Sequence, residues 1–476
     1  MVQQEIDYSR KWKVMIAVGM GIFLGTIDVS IVNIALPTFV HDLNTSFNVV
    51  QWVLLAYSLT ISTLSVSLGR LADMIGKKPI YVTGFIVFTT GSVLCGLSPT
   101  IYLLIASRVI QALGAAMVFS LGLGIITESF PREERGRALG ISGTLVSIGI
   151  IAGPTVGGMI LSVASWHWIF FVNLPIGILG TYMAIRNIPA LKPAGGQKFD
   201  IWGAVTLGSG LFMLLMGMTW GQERGFDSLP IILLLAGFFV MFTIFIVIEK
   251  REEQPMVDLA MFKNSEFATG LINGLLTFIA IAGLSLLLPF YLENVIGLAP
   301  FFMGLVMAVD PVLMGFVAPV SGWLSDRMGS RIITMVGLSM LLVAYILMAT
   351  LNEKSSLLMI IVSLLFLGLG MGIFQSPNNS TIMGAAAKDR LGVVSSILAL
   401  SRSLGQVLGG AILGSLWAVH VLAKLSEMPE GGAAGAPISA QVAGFQGTYW
   451  IISGLMVVAL GVAAWDYLKN KSLKEE

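Results

Sequence analysis

Gly69-Arg-Leu-Ala-Asp-Met-Ile-Gly-Lys-Lys-Pro79 returns, altered, as Gly322-Trp-Leu-Ser-Asp-Arg-Met-Gly-Ser-Arg331. The two copies start 253 residues apart (322 − 69) in a chain of 476, and each lies between two long apolar stretches. The same element at the same place in both halves marks a duplicated helical bundle. In a membrane, such duplication commonly lets one half rock against the other about a shared site.

Composition places the chain in the bilayer. Hydrophobic residues make up 56% of it and charged residues 11%, with a mean hydropathy of +0.89. A soluble chain carries roughly 25% charge. The 54 glycines suit helices packed backbone to backbone in lipid. The single cysteine, Cys95, excludes an internal disulfide and argues against a redox role. The first apolar run, Lys13 to Pro37, is too long for a signal peptide's apolar region, so we read it as a retained span.

A spanning helix needs about 20 mainly apolar residues. Such stretches fall near 13–37, 49–69, 79–98, 101–127, 138–162 and 167–185, and again near 266–291, 301–324, 331–350, 356–383, 391–419 and 447–467. Two more lie between the sets, near 201–220 and 229–249. The fold expected is an all-α integral membrane protein with 14 transmembrane helices. Residues 1–190 and 256–476 form two pseudo-symmetric six-helix bundles, and residues 191–255 an inserted pair, an accessory at the periphery. Of the 27 Lys and Arg, only Arg224, Lys354 and Lys424 fall outside when the N-terminus is inside, and only Arg108 and Arg402 lie within spans. The positive-inside rule then puts both termini and both motif copies in the cytoplasm. The longest external connection, 420–446, contains Glu430-Gly-Gly-Ala-Ala-Gly-Ala-Pro437 and reads as a flexible tether.

In the first motif, Gly69 and Gly76 permit a tight turn between closely approached helices. Asp73 is suited to accept backbone N–H bonds at a helix N-terminus or to pair with a nearby Arg. Lys77 and Lys78 hold the loop at the headgroups, a function any basic loop shares. The duplicated Gly-x-x-x-Asp-x-x-Gly spacing raises the pattern above coincidence. We assign a cytoplasmic gate to Gly69, Arg70, Asp73, Gly76, Lys77 and Lys78 in one half, and to Gly322, Asp326, Arg327, Gly329 and Arg331 in the other.

The pattern resembles the cytoplasmic loop signature of the major facilitator superfamily, and further stretches resemble its branch of fourteen-span drug:proton antiporters. Leu24-Gly-Thr-Ile-Asp28-Val-Ser-Ile-Val-Asn33-Ile-Ala-Leu-Pro37 is similar to that branch's first-helix signature. Gln51-Trp52 with Tyr57, and Trp166-His167-Trp168 with Asn173 and Pro175, are similar to its second and sixth helices. Arg108, Gln111 and Gly114 match its fourth-helix motif. Gly149-Ile-Ile-Ala-Gly153-Pro154-Thr-Val-Gly157-Gly158 is similar to the fifth-helix motif associated with antiport. Two departures stand out: Met74 and His167 occupy positions where the family usually carries Arg. By spacing alone, Gly149, Gly153 and Gly157 make a smooth face for helix packing, and Pro154 invites a kink.

Intramembrane charges carry the chemistry. Asp28, Asp310, Arg108 and Arg402 sit well within apolar helices, where each costs about 2.5–3.5 kcal/mol on insertion scales. Asp28 lies nine residues before Pro37, roughly 13 Å from the outer end at 1.5 Å per residue. Asp310 and Arg108 fall at similar depth, so the three are expected to line one central cavity. Burial raises a carboxylate's pKa and a nearby cation lowers it, so competition between a proton and a cationic substrate suffices for antiport. Asp28 and Asp310 are the candidate coupling acids, with Arg108 tuning Asp28; the other reading is an Asp–Arg pair that only orders the bundle. Arg402 with Gln406 reads as a polar packing element. Asn33, Trp52, Tyr57, Gln375 and Asn378 are candidates for the substrate pocket, or else for helix packing.

His41, His167 and His420 lie near span ends and form no metal cluster. No phosphate-binding loop and no hydrolase or kinase signature is present, so the chain reads as no enzyme, without cofactor and with no visible route for ATP as the energy source; the resemblance implies that a proton gradient drives it. The resemblance implies export of amphipathic or cationic drugs, dyes and biocides, which confers antibiotic resistance. The expected partners are that substrate, protons and the lipid bilayer of the cytoplasmic membrane, with no nucleic acid, and the chain is expected to be a monomer. The rivals are a carrier of lipids, bile acids, siderophores, peptides or other metabolites, and a membrane sensor that moves nothing. The Glu-x-x-Glu-Arg signature of fourteen-span peptide symporters is absent from the first helix, which offers only Asp28.

Overall fold

A computed structural model describes residues 8–45, 47–190, 198–387, 390–423 and 436–475. Among them are 14 helices long and apolar enough to cross a membrane. In chain order these are α1 (Lys11–Asp42), α2 (Trp52–Ile75), α3 (Lys77–Gly96), α4 (Ile101–Ser129), α5 (Arg135–Val163), α6 (Asn173–Asn187), α7 (Ile201–Arg224) and α8 (Leu229–Arg251). There follow α9 (Ser265–Phe290), α10 (Val309–Met328), α11 (Ser330–Ala349), α12 (Leu357–Gly384), α13 (Leu391–Leu422) and α14 (Ile438–Glu475). No strand occurs among the described residues.

Two expectations are revised at the helix ends. The last helix starts at Ile438, not 447, so the connection before it is shorter than the sequence suggested. Most of the expected tether, residues 424–435, lies outside the described residues. The tenth span is broken: a short helix Pro300–Met307 ends at Ala308, and α10 resumes at Val309. Pro311 has no N–H to offer the carbonyl of Met307, which breaks the backbone ladder beside Asp310.

The packing follows the repeat. The motif-bearing helix of each six-helix set lies against the fifth helix of the other, α2 on α13 and α10 on α5. At the loop-motif end the two carboxylates cross over. Asp73 Oδ1 and Oδ2 accept from the backbone N–H groups of Gly392 (2.8 Å) and Val393 (2.9 Å), in the first turn of α13. Asp326 Oδ1 and Oδ2 accept from Gly136 (2.8 Å) and Arg137 (3.0 Å), in the first turn of α5. Each acid therefore caps a helix of the opposite set, where orphan N–H groups and the helix dipole both favour negative charge.

The glycines of the motif serve two geometries. Gly76 (φ 108°) and Gly329 (φ 88°) turn the chain out of α2 and α10 through a conformation that other residues rarely adopt. Gly69 and Gly322 allow contact across the seam: a Cβ there would meet the carbonyl oxygens of Gly392 and Gly136 at 2.6 and 2.0 Å. The basic residues diverge between the copies. Lys77 Nζ lies 3.3 Å from Asp73 and 3.4 Å from Glu128. Arg327 is exposed over the ring of Trp323 at 4.1 Å, and Arg331 pairs with Glu266 and with Asp466 (3.2 Å).

The middle pair breaks the two-fold pseudo-symmetry. Helix α7 packs against both α2 and α13 and covers that seam, with Leu207 and Leu211 among Val66, Ile397 and Leu398. The pair is thus more than a peripheral accessory: α8 is largely exposed, but α7 bridges the two sets.

Replacing either cap, Asp73→Asn or Asp326→Asn, should loosen this end, since a charged hydrogen bond contributes about 1.5–3 kcal/mol. With Ser142→Cys as reporter (the natural Cys95 is buried), labelling from the loop-motif side should rise about tenfold for each variant. Unchanged labelling in both would show that the crossed caps do not hold the closure.

Candidate functional site: the central cavity and the buried charges

Helix α1 carries Asp28 to a position where it is 0% exposed, and α4 brings Arg108, also 0% exposed, against it. Arg108 Nη1 donates to Asp28 Oδ2 at 2.6 Å. Gln111 Nε2, one turn along α4, and Asn173 Nδ2 of α6 each donate to Asp28 Oδ1 at 2.8 Å. Arg108 further donates through Nε to the carbonyl of Val53 (3.2 Å) and through Nη1 to Gln111 Oε1 (2.7 Å). Three donors surround the carboxylate, so its charge is compensated within the first six helices. Gln111 and Asn173 were legible as motif residues, but their role as ligands of Asp28 was not, since they come from helices distant in sequence.

Between the two six-helix sets lies a cavity of about 320 Å³. Helices α1, α2, α4 and α5 line one side, and α10, α12 and α13 the other. Toward the loop motifs it is sealed. Ser62 Oγ and Ser403 Oγ lie 2.5 Å apart, Thr144 donates to the carbonyl of Gly315 at 2.6 Å, and Ser376 to that of Gly136 at 2.8 Å. Every described hydrogen bond between the two sets lies at this depth or closer to the loop motifs. Farther out, the lining residues Val29 and Ile150 are 36% and 40% exposed. The conformation is closed at the loop-motif end.

The expectation of one cavity lined by Asp28, Arg108 and Asp310 is corrected: none of the three lines it. The Asp28–Arg108 pair sits behind its wall, with the guanidinium 4.0 Å from the ring centroid of Tyr57, which does line it. Asp310 lies among the last six helices, its backbone against Gly368 of α12, and its Oδ1 is buried with no hydrogen-bond partner among the described residues. Equal depth along three helices does not bring three side chains to one face.

Of the pocket candidates, Tyr57 and Gln375 line the cavity. Asn33 is exposed one turn beyond Val29 on the same face of α1. Trp52 packs on Trp220 of α7, ring centroids 6.3 Å apart, and Asn378 Nδ2 donates to the carbonyl of Gly270 at 3.1 Å, so both serve helix packing. The neighbouring Asn379 takes the lining place instead. Arg402 and Gln406, read from sequence as packing elements, also line the cavity, a second correction.

The fifth-helix glycines pack α5 on α1: a Cβ on Gly149, Gly153 or Gly157 would meet Thr26, Ser30 or Ile31 at 2.7, 2.2 or 2.8 Å. Gly158 lies off that face, with nothing within 4 Å of such an atom. The helix runs unbroken through Pro154. No group of three or more His, Cys, Asp or Glu suited to a metal occurs among the described residues.

Residues 18–410 match the model of the Major Facilitator Superfamily. Among similar proteins are the riboflavin transporter RibZ of Clostridioides difficile (36% identical, over 95% of this chain and 96% of that one) and the multidrug resistance protein Stp of Mycobacterium tuberculosis (32% identical, over 86% and 76%). Among solved structures, the human organic anion transporter MFSD10 superposes with a TM-score of 0.67 at 15% identity, covering 95% of this chain and 99% of that one. The proton:xylose symporter XylE superposes with a TM-score of 0.66 at 13% identity, covering 95% and 94%. With a cavity between two pseudo-symmetric helix sets and a cross-capped loop motif in each, the chain is a multi-pass membrane transporter belonging to the Major Facilitator Superfamily.

Proposed function

We propose that this chain is a proton-coupled exporter of small amphipathic organic molecules, working by alternating access from the cytoplasmic membrane as a monomer with both termini inside. The central cavity carries the reading: it lies between the two sets, is closed at the motif end, and mixes apolar side chains with serines, Gln375 and Arg402. Similarity to a multidrug resistance protein supports export of foreign amphipaths.

Asp310 is the coupling acid in this proposal. Its Oδ1 is buried with no described hydrogen-bond partner, and an unpaired carboxylate within a span is a candidate proton site. Pro311 beside it leaves the carbonyl of Met307 without its helical N–H partner, a local weak point in the span. Asp28, held by three donors, is the ordering partner of Arg108 in this conformation. One proton falling through 100 mV contributes about 2.3 kcal/mol to export.

A second reading of the cargo has its own support. Similarity to a riboflavin transporter over 95% of the chain, with no carboxylate among the lining residues, favours a planar heterocyclic metabolite over a lipophilic cation.

Proteoliposomes with a standing pH gradient test both. Either riboflavin or a lipophilic cation such as tetraphenylphosphonium should collapse the gradient in exchange for protons, and whichever does so names the cargo class. Asp310→Asn should lower that proton flux at least tenfold while leaving substrate counterflow. Normal proton flux in Asp310→Asn removes the coupling assignment, and no flux with any amphipath removes the proposal.

The buried pair gives a separate prediction. Arg108→Ala leaves Asp28 uncompensated and should destabilise the protein by about 3–5 kcal/mol. Asp28→Asn combined with Arg108→Gln should recover most of that in a thermal-shift assay, and equal loss in single and double variants would contradict the pairing.

A further inference from the structure

Arg402 is the sole charged side chain among the residues lining the cavity. It makes no hydrogen bond or ion pair among the described residues, and its Nε is buried without an acceptor. The ring of Phe278, 5.0 Å from the guanidinium carbon, is its nearest described electrostatic company. The contrast with Arg108, saturated by Asp28, Gln111 and a backbone carbonyl, is direct. A guanidinium deep in a spanning helix is a functional-site candidate by default, and charge-assisted hydrogen bonds from it to an acceptor are among the strong ones.

Three more lining side chains carry buried polar atoms without a protein partner: Tyr57 Oη, Ser395 Oγ and Gln375 Oε1. Native interiors leave few such groups unmatched, and four of them belong to residues of this one lining, three of them donors. Phe119, Leu123, Val146 and Leu398 supply an apolar wall. The pattern of a few polar groups on an apolar lining is that of a pocket for a drug-sized ligand.

We propose that Arg402 is the substrate anchor, and that the cavity takes planar organic molecules with an anionic or acceptor-rich edge in preference to lipophilic cations. This deepens the transport reading above and rests on it. A cationic ligand would bring like charge to Arg402, with no lining carboxylate to offset it. Arginine's planar fork suits a carboxylate or a pair of carbonyl acceptors, and can also stack on a ring.

Fluorescein and rhodamine 123 share a xanthene ring system and differ in charge, and polarisation titration of the purified full chain in detergent reads each without any gradient. The native protein should bind fluorescein at least tenfold more tightly than rhodamine 123. Arg402→Gln should weaken fluorescein at least tenfold and leave or improve rhodamine, with Arg402→Lys recovering part of the loss. Ala399→Asp, which adds a carboxylate to the lining and keeps the arginine, should reverse the preference, and it carries the test if Arg402→Gln does not fold. Tighter binding of rhodamine by the native chain, native-like fluorescein binding in a monodisperse Arg402→Gln, or no binding of either dye overturns the proposal. The dye preference without proton flux would leave this assignment standing and remove the coupling; proton-driven rhodamine export would do the reverse.

Discussion

Two carboxylates crossing between the helix sets hold this conformation together. Asp73 and Asp326 each reach over the seam and take two backbone N–H groups from the first turn of the opposite set's fifth helix. Those N–H groups have no partner within their own helix, so the contact satisfies the helix start and joins the halves at once. Such a bond has one geometry in which it is made and none in which it is half made. The seam is therefore either capped or open at that end, the two-state behaviour that alternating access requires. Gly69 and Gly322 allow it, because a side chain at either would strike the facing backbone.

The four charges that the sequence places well within apolar spans divide by whether they have company. Asp28 and Arg108 neutralise each other inside the first six helices and so act as structure in this state, ordering α1, α4 and α6. Asp310 and Arg402 belong to the last six, and neither is paired with the other or with any described ion. An unpaired charge in a spanning segment is unfavourable until a proton or a ligand answers it. In the proposal made above, the acid would take the proton, and the arginine, on the cavity wall, would donate to the cargo's acceptor groups. Helix α7 packs over the seam of α2 with α13, so the two seams between the sets are not equivalent.

Much of the architecture was legible along the chain. Span lengths follow from apolar runs because the bilayer sets a minimum length, and the repeated motif located both caps because the acid-and-glycine spacing is local. What failed was facing. Asp28, Arg108 and Asp310 share a depth, but each points where its own helix's rotation and neighbours send it, and none reaches the cavity. Arg402 was set aside as packing because its helix gives no sign of which side meets the other half. Trp52 and Asn378, which the sequence leaves open between pocket and helix packing, lie between helices.

The amino-acid sequence by itself determined the membrane class, the fourteen spans, the duplication and the acids of the repeated motif, since all of these depend on composition or on spacing within a few residues. Only the tertiary structure decided which charges are paired and which face the cavity. Helices that meet across a seam lie tens to hundreds of residues apart, and their rotation about their own axes is set by the glycine-to-backbone contacts between them, not by any pattern read along one helix.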